Sequence, residues 1–262
     1  MTERTPHADV ATRFGRAAGG YDDAASVQRE ICRRLSALAA EHAPVEGPLL
    51  DAGCGTGFGL DHLTACHPGR LWVGVDIAPA MLARVQGRHP ALPCVAGDIE
   101  ALPVGDARLG GIWSSLCLQW CDPAVALSEF ARVLRPGGVV WLATLGPGTF
   151  TELRHAFDGI DGARHVLDCP SPAALHAAAG QARLEVLGEE HQLLNARAPD
   201  LAGLLRDIKA AGAQGVGSGR RQGLLGRRAW RTIENRYEAY RQPDGLVTIS
   251  YDALLLVLRK PT

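Results

Sequence analysis

No stretch of the chain approaches the roughly 18 consecutive apolar residues that a membrane-spanning helix needs. Met1 to Phe14 is polar and of mixed charge, so neither a membrane span nor a secretory leader is expected. Cys-x-x-Cys pairs are missing from the seven cysteines. All seven are expected as free thiols in a reducing cytoplasm, and the spacing of Cys117 and Cys121 is a packing distance on a helix. The histidines show no metal-ligand spacing, and no metal is assigned. There is no internal repeat and no long low-complexity linker. Aromatic residues are scarce, at 5%, and lysine occurs only at Lys209 and Lys260. Apolar residues are plentiful, at 47% of 262 positions, enough for a full core in one large domain, with or without an insertion.

The net charge of −1 hides an uneven distribution. Residues 197–241 carry ten Arg and Lys against four acids, while residues 1–196 carry a net charge of −7. The basic segment is either a solvated helical face or a docking surface for an acidic partner.

Hydrophobic spacing predicts helix over 7–42, through Val10, Phe14, Ala17 and Ala18 and then Val27, Ile31, Leu35 and Leu38, broken at Gly19-Gly20-Tyr21-Asp22. Short apolar runs predict strands at about 48–51, 71–75, 93–96, 109–113 and 139–145. Helices are predicted between them at 58–66, 79–88 and 123–134, with Arg135-Pro136-Gly137-Gly138 read as a turn. That alternation predicts a doubly wound, mostly parallel sheet with helices on both faces. Beyond 145 the expected elements are helices at 151–158, 171–180, 199–211 and 227–241, strands at 184–194 and 248–258, and a glycine-rich loop at 212–226.

In such sheets ligands lie outside the carboxyl ends of the strands. Asp51, Asp76, Asp98 and Ser114 each follow a different predicted strand and are expected on one edge. The stretch Leu50-Asp51-Ala52-Gly53-Cys54-Gly55-Thr56-Gly57 stands at the end of the first. A dinucleotide fingerprint would place a glycine where Phe58 stands, and no Lys-Ser/Thr pair completes a phosphate loop. An acid beside a glycine loop suits a ligand with a positive group, such as an amino group or a sulfonium, and S-adenosylmethionine carries both. Asp76 can accept both ribose hydroxyls. Asp98 and Ile99 can take the adenine amine and ring.

With Gly74-Val75-Asp76-Ile77, Ala96-Gly97-Asp98-Ile99-Glu100 and Leu134-Arg135-Pro136-Gly137-Gly138, residues 48–145 resemble a class I S-adenosylmethionine-dependent methyltransferase. Several further segments are similar to the malonyl-acyl-carrier-protein O-methyltransferases of biotin synthesis. They are Phe14-Gly15-Arg16-Ala17-Ala18 with Tyr21, Asp22 and Gln28; Trp113-Ser114-Ser115 with Gln119-Trp120-Cys121; and Ile208-Lys209-Ala210-Ala211-Gly212-Ala213 followed by Arg220.

The resemblance implies one Rossmann-like domain of seven strands. Residues 1–43 would form an N-terminal helical lid, 44–145 the cofactor core, 146–246 a cover with one core strand, and 247–262 the last core strand. It implies a cofactor set of Tyr21, Gln28, Asp51, Gly53, Gly55, Gly57, Asp76, Ile77, Met81, Asp98, Ile99 and Ser114, with Tyr21 reaching towards the methyl donor and Gln119 and Trp120 in the site wall. The substrate would be malonyl-phosphopantetheine on an acidic acyl carrier protein, methylated by a cytoplasmic enzyme acting as a monomer or weak dimer without nucleic acid or membrane.

A carboxylate is already ionised at neutral pH. Positioning and desolvation therefore suffice, with a cation to fix the carboxylate. Arg220, Arg227 and Lys209, with Arg221, are the candidates for that cation or for carrier docking. A trans-aconitate-type small-molecule carboxyl methyltransferase and a methyltransferase-like assembly factor are the alternatives. A nucleic-acid enzyme is disfavoured, because Ser114-Ser115-Leu116-Cys117 stands where an asparagine-proline signature would follow strand four.

Overall fold

The computed structural model describes residues 7–213, 221, 223 and 225–262. Three helices come first: α1 (His7–Ala17), the single-turn α2 (Tyr21–Ala24) and α3 (Ser26–Ala39). The core then alternates β1 (Leu49–Ala52), α4 (Phe58–Cys66), β2 (Trp72–Asp76), α5 (Pro79–Arg88), β3 (Cys94–Ala96), β4 (Leu109–Ser115), α6 (Pro123–Val133) and β5 (Leu134–Leu145). The remainder is α7 (Thr151–Phe157), α8 (Pro172–Gln181), β6 (Glu185–Ala198), α9 (Leu201–Ala210), α10 (Arg227–Tyr237) and β7 (Val247–Arg259).

Local chemistry sets the helix starts. Pro79, Pro123 and Pro172 each occupy a first turn, where a missing N–H costs nothing. Asp122, Ser171 and Asp200 cap α6, α8 and α9 by accepting from Ala124 N–H (2.9 Å), Ala174 N–H (3.2 Å) and Gly203 N–H (2.7 Å).

The seven strands form one sheet in the order β3-β2-β1-β4-β5-β7-β6. The first five are mutually parallel, and β7 runs antiparallel to both its neighbours. Alternation along β5 supplies both faces. Val139, Trp141, Ala143 and Leu145 join the core under α3, α4, α9 and α10, while Val140 and Leu142 join the core under α6 and α8. Among the described residues no helix is long and apolar enough to cross a membrane.

Three sequence expectations change. Arg135-Pro136-Gly137-Gly138 is not a turn between elements but an irregular opening of β5. Leu134 pairs with Leu109, the register then shifts, and Val139 pairs with Gly111, with Gly137 at φ 76°. The sixth strand runs on to Ala198 because it pairs with β7 along its length; its solvated face is too polar to read as strand. The helix expected over 227–241 ends at Tyr237 and tightens into a 3-10 turn, Glu238–Tyr240.

Gly110 in β4 is held by close approach. A Cβ there would stand 2.2 Å from the Val45 carbonyl oxygen, whereas one at Gly180 in α8 would meet nothing within 4 Å. The same methyl should therefore act in opposite directions. Gly110→Ala is expected to destabilise by about 1–3 kcal/mol and Gly180→Ala to stabilise by up to about 0.5–1 kcal/mol, as read by urea unfolding monitored by circular dichroism.

Candidate functional site

Parallel register brings the strand ends together. Asp51 pairs with Gly74 and Trp113, and Asp76 with Ala96, so Asp51, Asp76, Gly97 and Ser115 lie along one sheet edge. The chain leaving β1 turns through Gly53, Gly55 and Gly57, all at positive φ. Gly53 is obligatory on two counts: its φ is 80°, and a Cβ would fall 2.5 Å from the Cys117 sulfur. Gly53 and Cys54 donate their N–H groups to the Val75 carbonyl, which seats the loop on β2.

A cleft of about 650 Å³ lies over this edge. Gly53, Gly55, Asp76, Ile77, Met81, Gly97, Asp98 and Ile99 form its floor and one end. Asp76 accepts from Gly55 N–H (2.9 Å) and Ala78 N–H (2.8 Å), while burial raises its pKa against those hydrogen bonds. Asp98 accepts from Glu100 N–H at 2.9 Å and lies 2.5 Å from His7 Nδ1.

A smaller recess of about 390 Å³ shares Tyr21, Gly53 and Gly55 with the cleft and is lined by Asp51 and Gln28. Asp51 is only 3% exposed and accepts no hydrogen bond among the described residues. Its carboxyl is pushed up to about 8 by burial and by the neighbouring Asp76. A buried acid without a partner is a seat for a cation.

These features fit S-adenosylmethionine. Asp51 with Gln28 would receive the ammonium end, Asp76 the ribose, and Asp98, Ile99 and Met81 the adenine.

A second chamber of about 530 Å³ adjoins the cleft, and Phe14, Tyr21, Leu116 and Trp120 line both. Its other walls come from Thr149 and Phe150 after β5, the 166–169 segment, the end of α9 and Tyr251 of β7. Burial raises the phenol pKa of both Tyr21 and Tyr251, so both stay neutral donors. Among the described residues no Arg or Lys lines this chamber.

Several expected site residues stand elsewhere. Ser114 is fully buried and donates its hydroxyl to the Ala52 carbonyl (2.9 Å); the next residue, Ser115, lines the cleft instead. Gly57 caps α4, donating its N–H to the Cys54 carbonyl, away from the described cavities. Lys209 and Arg227 are exposed on α9 and α10 and line neither cavity. Arg221 pairs with Asp161 at 2.5 Å. Arg220 lies outside the described residues. His7, Val10, Ser115 and Cys117 of the cleft escaped sequence reasoning. The signal for α1 was present as the His7, Val10, Phe14 spacing, one helical face that reads equally as core.

A protein-family model described as "Methyltransferase domain" matches residues 50–142. The chain is 46% identical to the malonyl-[acyl-carrier protein] O-methyltransferase of Dechloromonas aromatica (strain RCB), over 98% of this chain and 96% of that one. It is 37% identical, over 96% of its own length and 50% of the other's, to the biotin biosynthesis bifunctional protein BioHC of Cellvibrio japonicus (strain Ueda107). Among solved structures it is similar to a putative methyltransferase of Bacillus halodurans C-125, with a TM-score of 0.61 at 16% identity, covering 88% of this chain and 99% of that one; this likeness concerns the fold.

Asp51 links stability to the seat. Unfolded, its carboxyl ionises near the ordinary 3.8; folded, only near 8. Between those values the folded state holds a proton that the unfolded state has lost. Stability therefore falls as pH rises through the window, by at most about 1.4 kcal/mol per pH unit. Asp51→Asn has no such slope, so the stability advantage of the variant over the unliganded wild type should widen from pH 5 to pH 8 in thermal unfolding. The same variant should lose cofactor binding in calorimetry. An unchanged difference between the two pH values would sink the assignment.

Proposed function

The chain belongs to the family of malonyl-[acyl-carrier protein] O-methyltransferases, and we propose on that premise that it methylates the free carboxylate of a malonyl thioester carried by an acyl carrier protein, in the service of biotin synthesis. The observation that supports this reading is the junction at Tyr21, Trp120, Phe14 and Leu116. There an acid-lined cleft suited to S-adenosylmethionine meets a chamber of low polarity suited to an acyl group.

When bound, the cofactor supplies an electrophilic methyl on a positively charged sulfur; a carboxylate oxygen takes the methyl while the sulfur–carbon electron pair stays on sulfur. No proton moves, so the chain needs no general base. Its residues bind, orient and exclude water. Asp51 holds the ammonium end of the donor, Asp76 its ribose, and Asp98 and Ile99 its adenine. Phe14 and Trp120, edge to face with centroids 5.6 Å apart, wall the junction from solvent. Tyr21 stands between the two cavities with its phenol uncharged. Helices α1 to α3 act as the lid over this junction.

The carrier docks on the cationic face of the cover. Trp230, Ile233 and Tyr237 turn α10 inward, leaving Arg227, Arg228 and Arg231 outward. Together with Arg206 and Lys209 of α9, these are exposed and make no ion pair among the described residues. Such a surface suits an acidic carrier, and reading it so moves the candidate cations from the reacting carboxylate to the partner.

Incubation of malonyl-loaded carrier protein with the enzyme and S-adenosylmethionine should add the mass of one CH₂ to the acyl group in mass spectrometry. No gain with cofactor demonstrably bound would refute the substrate. Charge reversal by Arg228→Glu with Arg231→Glu should raise KM for the loaded carrier roughly tenfold, with a weakened salt dependence, and affect a free malonyl-pantetheine thioester far less.

A further inference from the structure

The chamber beyond the cofactor cleft must receive a carboxylate, yet its described walls hold no cation. What they hold among the described residues is three uncharged donors, the Trp120 indole N–H and the hydroxyls of Tyr21 and Tyr251, of which the indole is buried and unsatisfied. The Trp120 indole N–H is buried and makes no hydrogen bond among the described residues, although the residue is only 8% exposed. The hydroxyls of Tyr21 and Tyr251 likewise donate to nothing among the described residues. By contrast, Gln119 on the same wall is already engaged, donating to the Leu116 carbonyl (2.8 Å) and accepting from Thr144 (3.2 Å). A buried donor left unpaired is costly, and it recovers that cost when a ligand supplies the acceptor.

We propose that the substrate's malonyl carboxylate is received at the junction by uncharged donors, chiefly the Trp120 indole N–H together with the Tyr251 and Tyr21 hydroxyls. This rests on the functional reading given above.

The choice of donor has a kinetic reason. The carboxylate loses its negative charge as its oxygen bonds to the methyl, and the sulfonium loses its positive charge at the same time. A guanidinium paired with the carboxylate would stabilise the starting anion more than the transition state and so raise the barrier. Neutral donors orient the oxygen with a smaller bias of that kind. The apolar surroundings, Phe150, Val166 and Leu167 among them, keep water from solvating the anion.

The test compares wild type with Trp120→Phe, which keeps the ring and removes the N–H. For the malonyl thioester, kcat/KM should fall roughly 10- to 100-fold, as expected for a lost hydrogen bond to a charged group. Cofactor affinity by calorimetry should stay within about twofold. A second readout needs no turnover: with S-adenosylhomocysteine bound, wild type should prefer malonyl-pantetheine over acetyl-pantetheine, and the variant should lose most of that preference. Tyr251→Phe should reduce the same preference and carries the test if Trp120→Phe fails to fold. Retained preference and retained kcat/KM would overturn the inference. A proportionate loss of cofactor affinity would also overturn it, by placing the indole in the cofactor seat. Wild type that binds cofactor but leaves malonyl thioesters unmethylated would overturn the functional reading itself, and that result appears before any variant is made.

Discussion

Asp51 cannot be both buried and charged without a cation beside it. Much of the site follows from that constraint. Its backbone lies in β1, paired on both sides, so the carboxyl cannot swing to water without breaking the centre of the sheet. The glycine loop that follows leaves no side chain to neutralise it, and the nearest charged neighbour is another acid, Asp76. Without a ligand the folded protein meets this burial by keeping a proton on Asp51 up to about pH 8, and a positively charged group seated beside it would let the carboxyl ionise. Asp76 is partly relieved by accepting backbone N–H groups from Gly55 and Ala78, although burial still raises its pKa. The two acids on adjacent strand ends thus differ in that one has backbone donors and the other has none among the described residues.

The alternation of strands and helices, the capping residues and the acids at the strand ends were legible in the sequence because each depends on a short-range rule: period, cap chemistry, loop composition. Ser114 shows how far such rules reach. A strand turns successive side chains to opposite faces, so placing a serine at the end of β4 does not decide which of two adjacent serines meets the ligand. Its hydroxyl went to the Ala52 carbonyl, and Ser115 took the cleft. Lys209 and Arg227 were legible as cations but not as outward-facing ones. Their direction is fixed by Ile208 and Leu204 on α9 and by Ile233 and Tyr237 on α10, which claim the inward faces.

The second chamber was the least legible part. Its walls come from positions 14, 21, 28, 116, 119–120, 145, 149–150, 166–167, 169, 211, 213 and 251, which no local pattern connects. Most are apolar and satisfy the same spacing rules as core residues. Trp120 could be named in advance as either a wall or a core residue. The difference lies in its place between the two cavities, a property of three-dimensional surroundings and not of sequence.

Helix α1 bears on how the protein is handled at the bench. Through His7, Val10 and Phe14 the first described helix is a wall of the cleft, and His7 stands directly on Asp98. The other end of the chain behaves differently. β7 runs away from the cleft, Arg259 pairs with Val139 at the start of β5, and Thr262 reaches Gly137 on the opposite edge of the sheet. A label or substitution placed in α1 thus acts on the cleft directly, whereas one placed beside Arg259 is remote from it.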